Sequence, residues 1–154
     1  MFRMEFAPNF SLRELTTTTM PFDNTPSRNN LGNLCALSFK LQELRDAMLL
    51  PLYINSAFRS PQVNRAVGGA AKSYHLYGRA ADISIRNLNK EQRQRLEHLI
   101  IESRPVEFIK YDTFYHVAYD FSKLGTQTNK PVTWQEEFPD EFPAVSTPGR
   151  RLDY

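Results

Sequence analysis

The stretch Ser73-Tyr-His-Leu-Tyr-Gly-Arg-Ala-Ala-Asp82 is the part of the chain around which the predicted fold is arranged. Gly78 favours a turn at its centre, because glycine adopts backbone conformations that other residues avoid. The residues after the turn alternate as in a strand, which places Asp82 on a half-apolar element. A carboxylate buried there is costly unless a metal ion, or a cation such as Arg59 or Arg79, balances it. Spacing alone leaves these two interpretations open.

The remaining sequence predicts an α+β fold, in which helices pack on one side of a small antiparallel sheet. The main helix, at about 27–49, carries leucines at spacings of three and four. A second helix, at 90–103, follows the capping residue Asn89. Shorter helices are expected at 10–15 and 60–67, and strands at 51–58, 79–85, 106–110 and 114–119, with a hairpin turn at 111–113.

Composition excludes several classes of protein. The 154 residues provide one domain, which we place at 1–121, and a proline-rich tail at 122–154 that wraps the domain or is disordered. A net charge of +2 without a Lys/Arg block argues against nucleic-acid binding. A single cysteine, Cys35, excludes an internal disulfide. No apolar run is long enough to cross a membrane, and the N-terminus lacks the apolar region of a signal peptide.

The chain has three histidines that could join Asp82 in binding a metal ion. His98 lies among charged residues of an amphipathic helix, so we expect it to be solvated. His75 lies in a loop just before the strand of Asp82, and His116 lies on a later strand, on the face opposite to Val117. A lone histidine in a strand is more often structural than metal-binding, so these residues do not decide the matter by themselves.

Five segments occur in a fixed order along the chain. They are Asn9-Phe-Ser-Leu-Arg-Glu-Leu15, Ile54-Asn-Ser-Ala-Phe-Arg-Ser-Pro61, Asn64-Arg-Ala-Val-Gly-Gly-Ala70, Ser73-Tyr-His-Leu-Tyr-Gly-Arg-Ala-Ala-Asp-Ile83 and Phe114-Tyr-His-Val-Ala-Tyr119. Together they resemble the zinc D-alanyl-D-alanine metallopeptidase family, which includes D-Ala-D-Ala carboxypeptidases, D-Ala-D-Ala dipeptidases and phage L-alanyl-D-glutamate endolysins. The resemblance spans about 9–121 and none of the tail.

This resemblance implies the fold that such peptidases share with Hedgehog signalling domains. It implies one zinc ion per chain, held by His75, Asp82 and His116. It also assigns Arg59 to substrate binding and to stabilising the oxyanion, tasks that suit a permanently charged guanidinium. Ser73 would contact the substrate or support the ligands. An ion pair between Arg59 and Asp82 is the alternative role of the arginine, and zinc would weaken that pair.

The sequence departs from the family at the catalytic base. The family has an Asp or Glu three residues before the last histidine, and this chain has Thr113 there. A threonine cannot replace a carboxylate base. Asp112, one residue earlier, is our first candidate, since a bulge in the hairpin could aim it at the metal. Glu107, on the paired strand, is the second. An ordinary role of Asp112 in the turn is an equally good interpretation.

The resemblance therefore implies a zinc metallopeptidase that acts as a monomer on peptidoglycan stem peptides. It would be a D-Ala-D-Ala carboxypeptidase or an L-Ala-D-Glu-type endopeptidase. A phage endolysin that acts at the cell wall would fit the missing signal peptide. The change at Thr113 supports an alternative, in which the chain is a zinc-stabilised binding module for wall peptides or a protein partner and catalyses nothing.

Overall fold

A computed structural model describes residues 4–121 of the chain, and this part has the predicted α+β fold. Its strands are β1 (Ile54–Ser56), β2 (Ala80–Ser84), β3 (Glu107–Lys110) and β4 (Phe114–Ala118). Its α-helices are α1 (Leu12–Leu15), α2 (Arg28–Met48), α3 (Pro61–Ala66) and α4 (Lys90–Glu102), and a 3₁₀ helix spans Tyr74–Tyr77. The strands form one antiparallel sheet in the order β1-β2-β4-β3.

Helix α2 supplies most of the helical side of the core. It begins after Ser27, whose side chain accepts a hydrogen bond from the main chain of Asn30, and it ends at Leu49 in a left-handed conformation. Its inward stripe packs in one hydrophobic cluster with the sheet and consists of Leu34, Leu37, Leu41, Leu44 and Met48. Helix α4 adds Leu96 and Ile100 to the same cluster. The predicted leucine periodicity is confirmed.

The two faces of the sheet separate this core from a polar cluster. Ile83 on β2 and Tyr115 and Val117 on β4 belong to the hydrophobic core. Since side chains alternate along a strand, Asp82 and His116 point to the other face. The core therefore holds the sheet in place from one side, while charged side chains occupy the opposite side.

The predicted β3–β4 hairpin is also confirmed. The main chain of Tyr111 donates to the carbonyl of Phe114 at 2.9 Å, and this closes the turn. Pairing places Ile109 opposite His116 and Glu107 opposite Ala118. Glu107 and His116 consequently lie diagonally across two neighbouring strands on the same face of the sheet.

Two elements differ from the prediction. The segment before Gly78, predicted as a loop, forms the 3₁₀ helix, because Ser73 caps its start and Gly78 ends it with φ at 74°. The strand predicted at 51–58 shrinks to Ile54–Ser56, because its register with β2 shifts between these two residues. Beyond it, the main chain of Phe58 bonds to α1 at the carbonyl of Leu15 instead of to the sheet.

The tail predicted at 122–154 lies outside the residues that the structure describes. Among residues 4–121, no helix combines the length and the apolar character that spanning a membrane requires.

Candidate metal centre

Three side chains from separate parts of the chain meet on the polar face of the sheet. Asp82 and His116 lie directly opposite each other on β2 and β4, and the 3₁₀ helix brings His75 beside them. One donor atom from each residue lies within 4.8 Å of the other two. All three residues are buried, and both histidines have no exposed surface. The geometry therefore brings together the three residues that the family resemblance implied as ligands.

The orientation of His75 is fixed from its far side. Its Nδ1 donates to the carbonyl of Ala57 at 2.5 Å, so its Nε2 faces Oδ1 of Asp82 at 3.1 Å. Ser73 supports this arrangement, because its hydroxyl accepts from the main-chain N–H of His75 at 3.0 Å. A hydrogen bond on the ring nitrogen that points away from the site is typical of metal-binding histidines, since it sets the tautomer.

His116 is held in the same manner by a carboxylate. Its Nε2 lies 2.6 Å from Oε1 of Glu107, and its Nδ1 lies 3.1 Å from Oδ1 of Asp82. The two histidines thus present different ring nitrogens to one carboxylate oxygen. Glu107 is one of the two residues that we predicted as a catalytic base, and the structure places it in contact with a candidate ligand.

The protonation states follow from burial and from these contacts. Burial would raise the pKa of Asp82, but the two histidines beside it hold that pKa well below its ordinary value. Burial lowers the pKa of His75 in spite of Asp82. Burial also acts to lower the pKa of His116, yet its hydrogen bonds to Asp82 and Glu107 raise it overall. At neutral pH the site accordingly holds a charged Asp82 and a neutral His75.

This donor set fits a bound cation. With Nδ1 of His75 used as a donor, its Nε2 lone pair faces a carboxylate oxygen, so two acceptors oppose each other. A cation between them removes that repulsion. The separations of 3.1 Å from Oδ1 of Asp82 to each histidine nitrogen are close to the edge, about 3.3 Å, of a tetrahedron with zinc–ligand bonds of 2.0–2.1 Å. Two histidines and one carboxylate also leave a position for water or substrate.

Arg59 completes the polar cluster. One terminal nitrogen of its guanidinium lies 3.5 Å from Oδ2 of Asp82, on the carboxylate oxygen that the histidines do not contact. The arginine is 7% exposed and follows β1, which pairs with β2 through Ser56 opposite Asp82. Arg59, rather than Arg79, is therefore the cation next to Asp82; Arg79 lies 3.8 Å from Asp120 instead.

The other predicted residues lie elsewhere. His98 is an exposed residue of α4 that pairs with Glu102, one helical turn away, as expected of a solvated histidine. Asp112 is exposed in the β3–β4 turn, two residues before β4 begins. The predictions missed the carbonyl of Ala57 and the side chain of Asn64, which contacts Arg59. No residue pattern marks a main-chain acceptor, and Asn64 was visible only as part of a family segment.

Most of the chain matches a known protein family. A model of the family described as Peptidase M15 matches residues 8–118, which is well over half of the chain. The chain belongs to the peptidase M15 family. A curated relative, the zinc D-Ala-D-Ala carboxypeptidase of Streptomyces albus G, is 46% identical over 53 residues, which are 34% of this chain and 21% of that protein. The match thus spans about a fifth of the length of the relative.

Membership of the peptidase M15 family gives the polar cluster its context. The matched region contains both histidines, Asp82, Arg59 and Glu107, and it ends at Ala118, the last residue of β4. The candidate metal centre therefore lies within the part of this M15 chain that its family shares.

Proposed function

We propose that this M15 chain is a zinc-dependent peptidase that hydrolyses stem peptides of bacterial peptidoglycan. The observation that carries the proposal is the buried His75, Asp82 and His116 set, in which each histidine is oriented towards Asp82 by an acceptor on its far nitrogen. The relative is named for zinc and for a D-Ala-D-Ala substrate, which supports the choice of metal and of substrate class. One zinc ion per chain follows from the one set of donors found among residues 4–121, and a monomer suffices because all three belong to one chain.

Zinc, when bound, lowers the pKa of a water molecule to about 7 and polarises the scissile carbonyl. The residues of the chain must then stabilise charge and move a proton. Arg59 lies next to Asp82, stays charged and is shielded from solvent, so it is our proposed donor to the developing oxyanion. A buried guanidinium can do so with little reorganisation, which is what makes oxyanion stabilisation effective.

The family has its carboxylate base at the position that Thr113 occupies in this chain. The proton acceptor must therefore be another carboxylate close to the metal centre. We propose Glu107 in preference to Asp112. Glu107 touches His116 through one oxygen, and its side chain is 34% exposed, so its second oxygen can face the substrate side. Asp112 would have to move from an exposed turn. Glu107 would take the proton from water and pass it to the leaving amine.

We place the peptide bond that is cleaved within two classes. The name of the relative favours a carboxypeptidase that releases a C-terminal D-Ala, and an L-Ala-D-Glu-type endopeptidase is the other choice. We propose that the protein acts at the cell wall, in the manner of a phage endolysin.

A second candidate function rests on the same departure from the family. A chain with Thr113 at the usual base position could bind wall peptides or a protein partner through a zinc-stabilised surface without cleaving anything. The contact between Glu107 and His116 would then serve only to hold the ligand.

One experiment separates the two functions. The zinc-loaded protein is incubated with defined muropeptides that carry D-Ala-D-Ala and L-Ala-D-Glu bonds, and products are followed by mass spectrometry. We expect release of D-Ala or a cleaved stem, and loss of product in an Arg59→Ala control. Peptides that bind but remain intact at every zinc concentration would support the binding module and overturn the peptidase.

A further inference from the structure

The guanidinium of Arg59 is held by neutral partners as well as by Asp82. Its Nε donates to the hydroxyl of Ser56 at 3.2 Å, and one terminal nitrogen donates to Oδ1 of Asn64 at 3.0 Å. The pair with Asp82 is longer, at 3.5 Å. A cation bound by Asp82 would repel the guanidinium and weaken that pair. Ser56 and Asn64 would keep their bonds, because neither carries a charge that the cation changes.

Asn64 is placed for this task by its own contacts. It is a buried residue of α3, and its side-chain amide donates to the carbonyl of Ala70 at 2.9 Å. Its main-chain carbonyl accepts from the main-chain N–H of Gly69 at 2.8 Å. The side chain thus connects Arg59 to the loop that leads to His75, and both of its polar ends have partners, as a buried amide requires.

The main chain at Arg59 is fixed independently by another asparagine. Asn24 donates to the carbonyl of Phe58 at 3.0 Å and accepts from the N–H of Ser60 at 2.6 Å, so it spans both neighbours of the arginine. The main-chain N–H of Arg59 donates to the carbonyl of His75 at 3.0 Å. With the main chain fixed in this way, the direction of the long side chain depends on the contacts of its guanidinium.

Gly69 leaves the space in which Asn64 and Arg59 meet. A Cβ atom at this position would lie 2.0 Å from Oδ1 of Asn64 and 2.7 Å from a terminal nitrogen of Arg59. Since real Cβ atoms do not approach other atoms so closely, any side chain at 69 would displace the amide or the guanidinium.

We propose that Asn64 is a positioning residue, which fixes the Arg59 guanidinium in the orientation that stabilises the oxyanion. The inference rests on the proposed peptidase function, and it gives a role to Asn64, which has none in that proposal. The helix α3 turns the chain back, so that position 64 faces position 59.

The test compares Asn64→Leu with Asn64→Asp. Leucine has a similar volume but accepts no hydrogen bond, whereas aspartate keeps an acceptor for Arg59, adds a negative charge beside the guanidinium and loses the donor to Ala70. With the muropeptide substrate, we expect Asn64→Leu to lower kcat by roughly 10- to 100-fold with little change in KM, which is less than the 10²- to 10³-fold typical of removing an oxyanion donor. Asn64→Asp should keep most of the activity.

A second readout does not depend on turnover. The Nε–H signal of Arg59 in ¹⁵N spectra, assigned by its loss in Arg59→Lys, reports whether the guanidinium is held. We expect this signal to shift and to exchange faster with water in zinc-loaded Asn64→Leu, and also in Gly69→Ala, which keeps Asn64 but displaces it. Ser38→Ala is the matched control, because it removes the buried hydrogen bonds of Ser38 in α2, remote from Arg59.

The outcomes are distinguishable. A wild-type signal and a wild-type kcat in both Asn64→Leu and Gly69→Ala would overturn the inference. Equal losses in Ser38→Ala would also overturn it, because they would assign the effect to stability alone. If the wild-type protein cleaves no peptide, the proposed function fails by itself, and the Arg59 signal still decides whether Asn64 fixes the guanidinium.

Discussion

Asp82 and His116 face each other across β2 and β4, with Oδ1 of Asp82 3.1 Å from Nδ1 of His116. The residues are 34 positions apart in the chain, so this contact exists only when the sheet is formed. The metal centre is for that reason coupled to the register of the sheet. A slip of either strand by one residue would move its side chain to the core face and destroy the site.

Removal of zinc should destabilise the protein. A ligand that binds only the folded state adds stability that grows with the logarithm of its free concentration divided by its dissociation constant. Zinc at about 100 times its dissociation constant therefore adds about 2.7 kcal/mol to the free energy of unfolding. We expect a chelator to lower the Tm of the wild-type protein and of His98→Ala equally, because His98 is exposed on α4. In His75→Ala the chelator should change little. A Tm of His75→Ala that still responds to zinc would contradict the ligand assignment.

Glu107→Gln and Asp112→Asn separate the two candidate bases. Glutamine keeps an acceptor oxygen for His116 but cannot take a proton at neutral pH, so kcat should fall about 100-fold or more while zinc content stays near one per chain. Asp112→Asn should leave kcat unchanged, because Asp112 is exposed in the turn. Steady-state kinetics together with metal analysis give both quantities. The reverse pattern would assign the base to Asp112.

Gly78 ends the 3₁₀ helix before β2, and Gly68 is its matched control. Both have positive φ, 74° and 75°, but a Cβ at Gly78 would lie 2.7 Å from the carbonyl oxygen of Asn30, while a Cβ at Gly68 would meet nothing within 4 Å. Gly68→Ala should cost only the strain of the left-handed conformation, about 1–2 kcal/mol. Gly78→Ala should cost more in urea unfolding. Equal costs would show that α2 yields to the added methyl group.

Tyr119 should make the protein sensitive to alkali. Its hydroxyl is buried against Ser103 at 2.6 Å, and burial raises its pKa in the folded state. The folded state then holds its proton more tightly than the unfolded chain, whose tyrosines ionise near pH 10. The resulting stability is complete below about pH 10 and is lost as pH rises above it. The free energy of unfolding should fall less steeply above pH 10 in Tyr119→Phe than in the exposed control Tyr53→Phe. Identical slopes would contradict this account.

The local parts of the fold followed from the sequence because local physics determines them. The stripe of α2, the cap at Asn89 and the turn at Gly78 each depend on neighbours in the chain. Alternation also placed Asp82 on the polar face of its strand correctly. The 3₁₀ helix of His75 was missed, since four residues carry too little periodicity to separate a short helix from a loop.

The details of the site could not be predicted, because they depend on the pairing of distant segments. That His116 meets Asp82 directly follows from the β2–β4 register, which no local pattern specifies. Glu107 was a candidate as a base, but its contact with Nε2 of His116 required the diagonal geometry of the hairpin. Family resemblance implied the three candidate ligands, while the partners that orient them, such as the carbonyl of Ala57, came only from the structure.

The central claim is that His75, Asp82 and His116 hold one zinc ion, and anomalous X-ray scattering from a crystal of the zinc-loaded protein tests it most directly. Data collected on both sides of the zinc absorption edge locate the metal without reference to activity. We predict one peak per chain, contacted by Nε2 of His75, a carboxylate oxygen of Asp82 and Nδ1 of His116. A peak at other residues, or none in protein that is saturated with zinc, would contradict the account.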